Sequence, residues 1–143
     1  MKTAVVLVNL GGPENLDDVQ PFLYNLFSDP DIIQFPFGKR GQDFFAKLIS
    51  KRRAPYSARL YEEIGGGSPI HSNTVQQAKV LEETLQSDGR FSVFVAQRYW
   101  HPFISETIQR IRGRGFEKIV LLPLFPQFST TTTLSVINEW LRE

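Results

Sequence analysis

The chain has 143 residues, 41% hydrophobic and 22% charged, which is room for one domain and enough apolar material for a core. Sixteen basic and 15 acidic side chains leave a formal charge of +1, so no global field points to nucleic acid. Cysteine is absent, which excludes disulfides, thiolate metal sites and a cysteine nucleophile within this sequence.

The first apolar run, Ala4 to Leu10, is shorter than a signal-peptide core and far too short to cross a bilayer. It is expected to be a buried strand, and the protein is expected in the cytoplasm. Two more strands are predicted at Phe91–Gln97 and Lys118–Leu124. The first and third are almost continuous Val, Leu and Ile, the pattern of strands covered on both faces. Each run is followed by a turn and a helical period. After the first, Asn15 and Asp18 offer a capping pair to a helix carrying Leu16, Val19, Leu23, Leu26 and Phe27, with Pro21 tolerable in its first turn. A long stretch of added helical material follows, with helices predicted at Gln42–Arg53, Ser57–Ile64 and Thr74–Gln86. The last is amphipathic through Val75, Ala78, Leu81 and Leu85, and Asp88-Gly89 turns the chain into the second strand. Pro102 is expected to open a helix carrying Phe103, Ile104, Ile108 and Ile111, closed by Gly113 and Gly115. Ser129 to Thr133 should cap a final helix carrying Leu134, Ile137 and Leu141.

Strands alternating with helices define an α/β fold, a flavodoxin- or Rossmann-like doubly wound parallel sheet. Three strands are evident, with a helical insertion over about residues 31–73. Because the sequence stops inside a helical pattern, the sheet is expected to be incomplete, with an edge prone to association, and the chain to be part of a longer protein.

Four segments carry chemistry. Asn9-Leu10-Gly11-Gly12-Pro13 closes the first strand, where open α/β sheets gather ligands, although a tight turn needs the same glycines. No dinucleotide or P-loop fingerprint is present. Lys39 to Arg59 holds seven of the 16 basic residues against Asp43, with Phe35, Phe37, Phe44, Phe45 and Tyr56 among or just ahead of them. That mixture suits a flat, apolar anion or a membrane surface, and it also describes a solvated helix face. Gly65-Gly66-Gly67 before Ser68-Pro69 demands a special backbone path. Arg98-Tyr99-Trp100-His101 ends the second strand. His101 reads more readily as a hydrogen-bonded structural residue than as a base or ligand, and His71 as a surface residue. No metal-ligand spacing and no catalytic residue emerges. Ser129, without a G-x-S-x-G setting, is not a nucleophile.

Taken in order, Val8-Asn9-Leu10-Gly11-Gly12-Pro13-Glu14, Lys51-Arg52-Arg53 before Pro55, and Tyr61 through Ile70 resemble the N-terminal half of the ferrochelatases. Arg98-Tyr99 with His101-Pro102, and Phe125-Pro126-Gln127-Phe128-Ser129, extend that resemblance. It implies a lyase of haem biosynthesis that inserts Fe2+ into protoporphyrin IX between two similar α/β domains. Porphyrin and the C-terminal domain would be the partners, with a membrane surface as a further contact and no resident cofactor. The family's histidine and glutamate for metal and proton handling belong to the second domain, and neither His71 nor His101 matches them. The resemblance makes Leu10 the residue facing the macrocycle plane and sets Arg53 and Ser68 near the propionates. Tyr61, Arg98 and Tyr99 match further cleft positions. By itself, such a half is expected to be inactive. A phosphate- or nucleotide-binding α/β module and a peripheral membrane module are the rival classes.

Overall fold

A computed structural model describes residues 1–86 and 89–143. Its contacts divide the chain into two compact units, Met1–Gly11 with Ile70–Glu143, and Gly12–Pro69.

The first unit is built on a parallel sheet of β1 (Thr3–Asn9), β2 (Phe91–Gln97) and β3 (Lys118–Pro123) in the order β2-β1-β3. Thr3 pairs with Phe91 on one side and with Lys118 on the other. Central β1 is buried on both faces, which is why its sequence is apolar without alternation. Its Ala4, Val6 and Val8 pack with Ile104, Ile111 and Val136 from α4 (Ile104–Ile111) and α5 (Ser135–Arg142). Val5 and Leu7 pack on the other face with Ala78, Leu81 and Leu85 of α3 (Ile70–Leu85). Helices on both faces make the sheet doubly wound, and its three strands fit an incomplete Rossmann-like fold.

β1 starts and ends one residue earlier than the hydrophobic run suggests. Thr3 N–H bonds the Arg90 carbonyl at 2.7 Å, whereas Leu10 leaves the ladder because its N–H turns to Asn9 Oδ1 at 3.0 Å. α3 begins at Ile70, directly after Pro69, rather than at Thr74, and its inner face is Thr74 and Ala78. Of the predicted stripe Val75, Ala78, Leu81 and Leu85, the last three face the sheet and Val75 is 45% exposed, its inward place taken by Thr74. Asp88, assigned to the turn before β2, lies outside the described residues. Pro102 precedes α4 instead of opening it. Glu106 Oε2 accepts from the Phe103 N–H at 2.7 Å, which fixes the start at Ile104. At the other end of the sequence, Ser129 does not cap a helix through its hydroxyl, which bonds Thr132 Oγ1 at 2.6 Å. A π-helical turn, Thr130–Leu134, leads into α5, whose inner face is Ser135, Val136 and Trp140, leaving Leu141 79% exposed.

The second unit opens on a 3-10 turn, Leu16–Asp18, closed by the expected reciprocal cap. Asn15 Oδ1 accepts from Asp17 and Asp18 N–H at 3.0 and 3.2 Å, and Asp18 Oδ2 accepts from the Asn15 N–H at 3.2 Å. α1 (Val19–Ser28) follows, with Pro21 in its first turn. Helix α1 belongs to this unit, which therefore starts ahead of the segment 31–73 read from the sequence. The two helices predicted on either side of Pro55 are one, α2 (Gly38–Glu63), 26 residues long with the proline inside. Pro55 removes the donor to the Lys51 carbonyl, and since Lys51 and Pro55 are both exposed residues the interruption costs less than it would in a core. Buried Gln42 organises the preceding loop, accepting from Phe35 N–H and donating to the Phe27 and Ile33 carbonyls at 2.8–3.0 Å. Part of the heavy phenylalanine content is used here, where Phe45 stacks on Phe35 at 5.3 Å and meets Phe44 edge-on at 5.4 Å.

Candidate functional site

In the helical unit, α1 and the C-terminal half of α2 enclose an open cavity of about 610 Å³, within the range of small-molecule pockets. Its wall is apolar, from Leu23, Leu26 and Phe27 on α1 to Leu60 on α2 and Ile64 just past its end, and Arg53 and Tyr61 add its chemistry. Eight residues separate these two, so the helix brings them to neighbouring faces about two turns apart.

Arg53 is exposed and also lines a shallower concavity of about 310 Å³ with Ile49, Arg52 and Tyr56. Its guanidinium lies 5.7 Å from the Tyr56 ring centre and forms no ion pair among the described residues. The donor fork is therefore available for a carboxylate. Partial burial pushes the Tyr61 phenol above its ordinary value of 10, so at neutral pH it is a neutral O–H donor.

Beyond Tyr61 the glycine run performs two backbone tasks. Gly65 and Gly66, at φ 105° and 91°, terminate α2 by returning their N–H groups to Glu62 and Tyr61 carbonyls. Gly67 lies against the Glu14 backbone carbonyl where any Cβ would collide. The Ser68 N–H then bonds the Pro13 carbonyl at 2.7 Å, fixing the loop from which the half-buried Ser68 side chain projects.

In the sheet unit, Leu10 follows β1 at the carboxyl edge of the sheet, the end where α/β folds hold ligands. Its carbonyl accepts from the Tyr99 N–H at 2.9 Å, and the Asn9 carbonyl accepts from the Arg98 N–H at 2.9 Å. The Arg98 and Tyr99 side chains are engaged inside the unit. Arg98 Nε donates to Ser135 Oγ at 3.0 Å, its guanidinium sits 3.5 Å from Glu139 and 4.8 Å from the Tyr99 ring centre, and only 9% of the side chain is exposed. Tyr99 is 1% exposed, with its hydroxyl 3.1 Å from Ser135 Oγ. Both residues support the Leu10 turn through their backbone and α5 through their side chains.

Sequence reasoning missed Ser135 and Glu139. Their i, i+4 spacing on the last helix is the signal that would have found them. His101 is hydrogen-bonded as expected, through Nδ1 to Glu106 at 2.8 Å, beneath an edge contact with Phe103 at 4.5 Å. His71 is not a free surface residue. It is half-buried, with Nδ1 2.7 Å from Gln97 Nε2. No cluster of three or more metal-ligating side chains occurs among the described residues, and no described helix is long and apolar enough to cross a membrane.

A doubly wound parallel sheet with turns at its carboxyl edge, joined in sequence to a helical unit that carries an apolar cavity and a basic long helix, defines an α/β protein with an added helical unit. The family model named ferrochelatase matches residues 2–143, and the chain belongs to the ferrochelatase family. It is 48% identical over 142 residues to the ferrochelatase of Aquifex aeolicus, covering 99% of this chain and 44% of that protein. It is 52% identical over 139 residues to the ferrochelatase of Sulfurihydrogenibium sp., covering 97% and 40%. Against the chloroplastic ferrochelatase-2 of Cucumis sativus, identity is 50% over 147 residues, covering 99% and 29%. The chain spans less than half the length of these relatives.

Proposed function

We propose that this chain is the porphyrin-gripping part of a ferrochelatase, the enzyme that inserts Fe2+ into protoporphyrin IX. The observation that carries the reading is the pairing of an uncommitted Arg53 fork with the neutral Tyr61 hydroxyl on an otherwise apolar wall. A flat, greasy dicarboxylate asks for that combination. Apolar side chains take the ring, a guanidinium holds a propionate through two hydrogen bonds, and a phenol adds a donor without adding charge. Ser68 belongs to the propionate side, and Leu10 faces the macrocycle plane. Arg98 and Tyr99 act from behind, by fixing the backbone on either side of Leu10.

Metallation requires the loss of two pyrrole protons and a ring bent far enough to present its nitrogen lone pairs. Distortion of that kind is driven by binding energy collected at the periphery of the substrate. This chain supplies that peripheral grip. The family's histidine and glutamate, which have no counterparts here, supply base and metal path. Iron and porphyrin are substrates, no resident cofactor takes part, and the site of action is the cytoplasm. Titrating the chain with protoporphyrin IX while following the Soret band tests the grip, and adding Fe2+ tests the division of labour. Saturable binding with no metallation above the spontaneous rate supports the proposal. Metallation abolished by His101→Ala would make that histidine catalytic and overturn it.

A membrane contact is the second reading. On α2, Phe44, Leu48, Tyr56 and Leu60, with Ile64 just past its end, are 46–64% exposed at four- or eight-residue spacing, with Lys47, Lys51, Arg52 and Arg59 beside them. Flotation with vesicles containing anionic lipid, lost at high salt or in Leu48→Glu, is the outcome that favours it.

A further inference from the structure

Beneath the turn that follows β1 lies a buried amide that the proposed grip does not use. Gln97, at the end of β2, is fully buried, and its Oε1 has no hydrogen-bond partner among the described residues. Its Nε2 lies 2.7 Å from His71 Nδ1, in the first turn of α3. Gly11 rests on the same side chain. A Cβ built at Gly11 would stand 2.5 Å from Gln97 Oε1, 3.1 Å from Gln97 Cβ and 3.0 Å from Trp100 Cβ. Gly11 also holds a φ of 86°, so this backbone is seated on the amide with no side chain between.

We infer that His71 and Gln97 form a pH-sensitive positioning pair for the Leu10–Gly11 turn. A neutral imidazole has one acceptor nitrogen and one donor. With the amide NH2 facing it, Nδ1 is the acceptor and the proton is on Nε2, which leaves Oε1 bare under Gly11. Protonation turns Nδ1 into a donor, and two donors then face each other at hydrogen-bond distance. The amide relieves this by turning over, so that Oε1 accepts from Nδ1–H and the NH2 group moves beneath Gly11. A bare acceptor under the turn becomes a bulkier donor. Leu10 shares the displacement because it directly precedes Gly11, its backbone bonded to the Asn9 side chain and the Tyr99 N–H. Since Leu10 is the residue proposed to face the ring, the inference rests on that reading for its functional meaning.

His71 has no nearby rival for this role. α3 packs on β1 and β2, and neither Thr3–Asn9 nor Phe91–Gln97 contains a titratable side chain. On α3 itself Lys79, Glu82 and Glu83 lie about two turns or more away. Arg98 is bound to Ser135 and Glu139, and His101 to Glu106.

Nuclear magnetic resonance of the labelled chain between about pH 5 and pH 8, where an imidazole changes charge, tests the pair without any ligand. Ring signals follow the two histidines individually. The Leu10 and Gly11 amide shifts should follow the His71 midpoint, and in Gln97→Leu they should go flat while His71 still titrates. His71→Gln, at a half-buried position, should flatten them as well, and it carries the test if Gln97→Leu does not fold. Amides that follow His101, stay flat in the unaltered protein or keep their profile in either variant overturn the inference. A chain that binds no porphyrin yet shows amides tracking His71 upholds the pair and overturns the porphyrin reading instead.

Discussion

The Tyr99 hydroxyl and Ser135 Oγ lie 3.1 Å apart in the interior, 36 residues apart in sequence, and tie the turn after β2 to the first turn of α5. Ser135 also accepts from Arg98 Nε at 3.0 Å, so one small side chain serves two larger ones. Ser135→Ala should therefore remove both hydrogen bonds at once, costing about 1–3 kcal/mol. Tyr99→Phe, which leaves the Arg98 bond intact, should cost about 1 kcal/mol. Urea unfolding distinguishes them, and equal losses would show that Ser135 does not bridge the pair.

Proline inside a helix gives a second prediction. Pro55 is exposed, in the interior of α2, and disfavours helix by about 3 kcal/mol relative to alanine when nothing relaxes. Pro55→Ala should stabilise the helical unit by about 1–3 kcal/mol in thermal unfolding. A destabilised variant would mean that the proline shapes the cavity wall in a way the helix alone does not.

The raised phenol of Tyr61 gives stability a pH dependence with a definite sign. In the unfolded chain this tyrosine ionises near 10, whereas burial in the folded state holds its proton to higher pH. The unfolded state therefore loses its proton first, and stability falls as pH rises above about 10 and on through the folded-state value. Tyr61→Phe should remove that part of the decline. Followed by tyrosinate absorbance, this variant should lose one component that titrates above the ordinary tyrosine value. An unchanged high-pH titration would show that the Tyr61 phenol is not held protonated by burial.

The sheet was legible because β1 and β3 are apolar on both faces and short, and the Asn15–Asp18 cap because its partners are local. Boundaries failed where a side chain outbid a local rule. Pro55 reads as a stop, yet its exposure lets α2 continue. Val75 and Leu141 match the helical period, yet the sheet takes Thr74 with Ala78 and Val136 with Trp140. The Arg53–Tyr61 wall is foreshadowed by basic and aromatic clustering on one segment, as periodicity allows. His71 with Gln97, and Arg98 with Ser135, join distant segments through single polar contacts, for which no local pattern exists.

The most direct test of the porphyrin reading is protoporphyrin IX affinity, followed in the Soret band at fixed salt, for Arg53→Lys, Arg53→Ala and Lys39→Ala. A propionate held in the Arg53 fork predicts about tenfold or more loss for alanine and a smaller, definite loss for lysine, which keeps charge but not geometry. Lys39→Ala should change affinity little and only in a salt-sensitive way. Equal losses at Lys39 and Arg53 that vanish together in high salt would contradict the account, leaving a diffuse basic field where it requires an anchor.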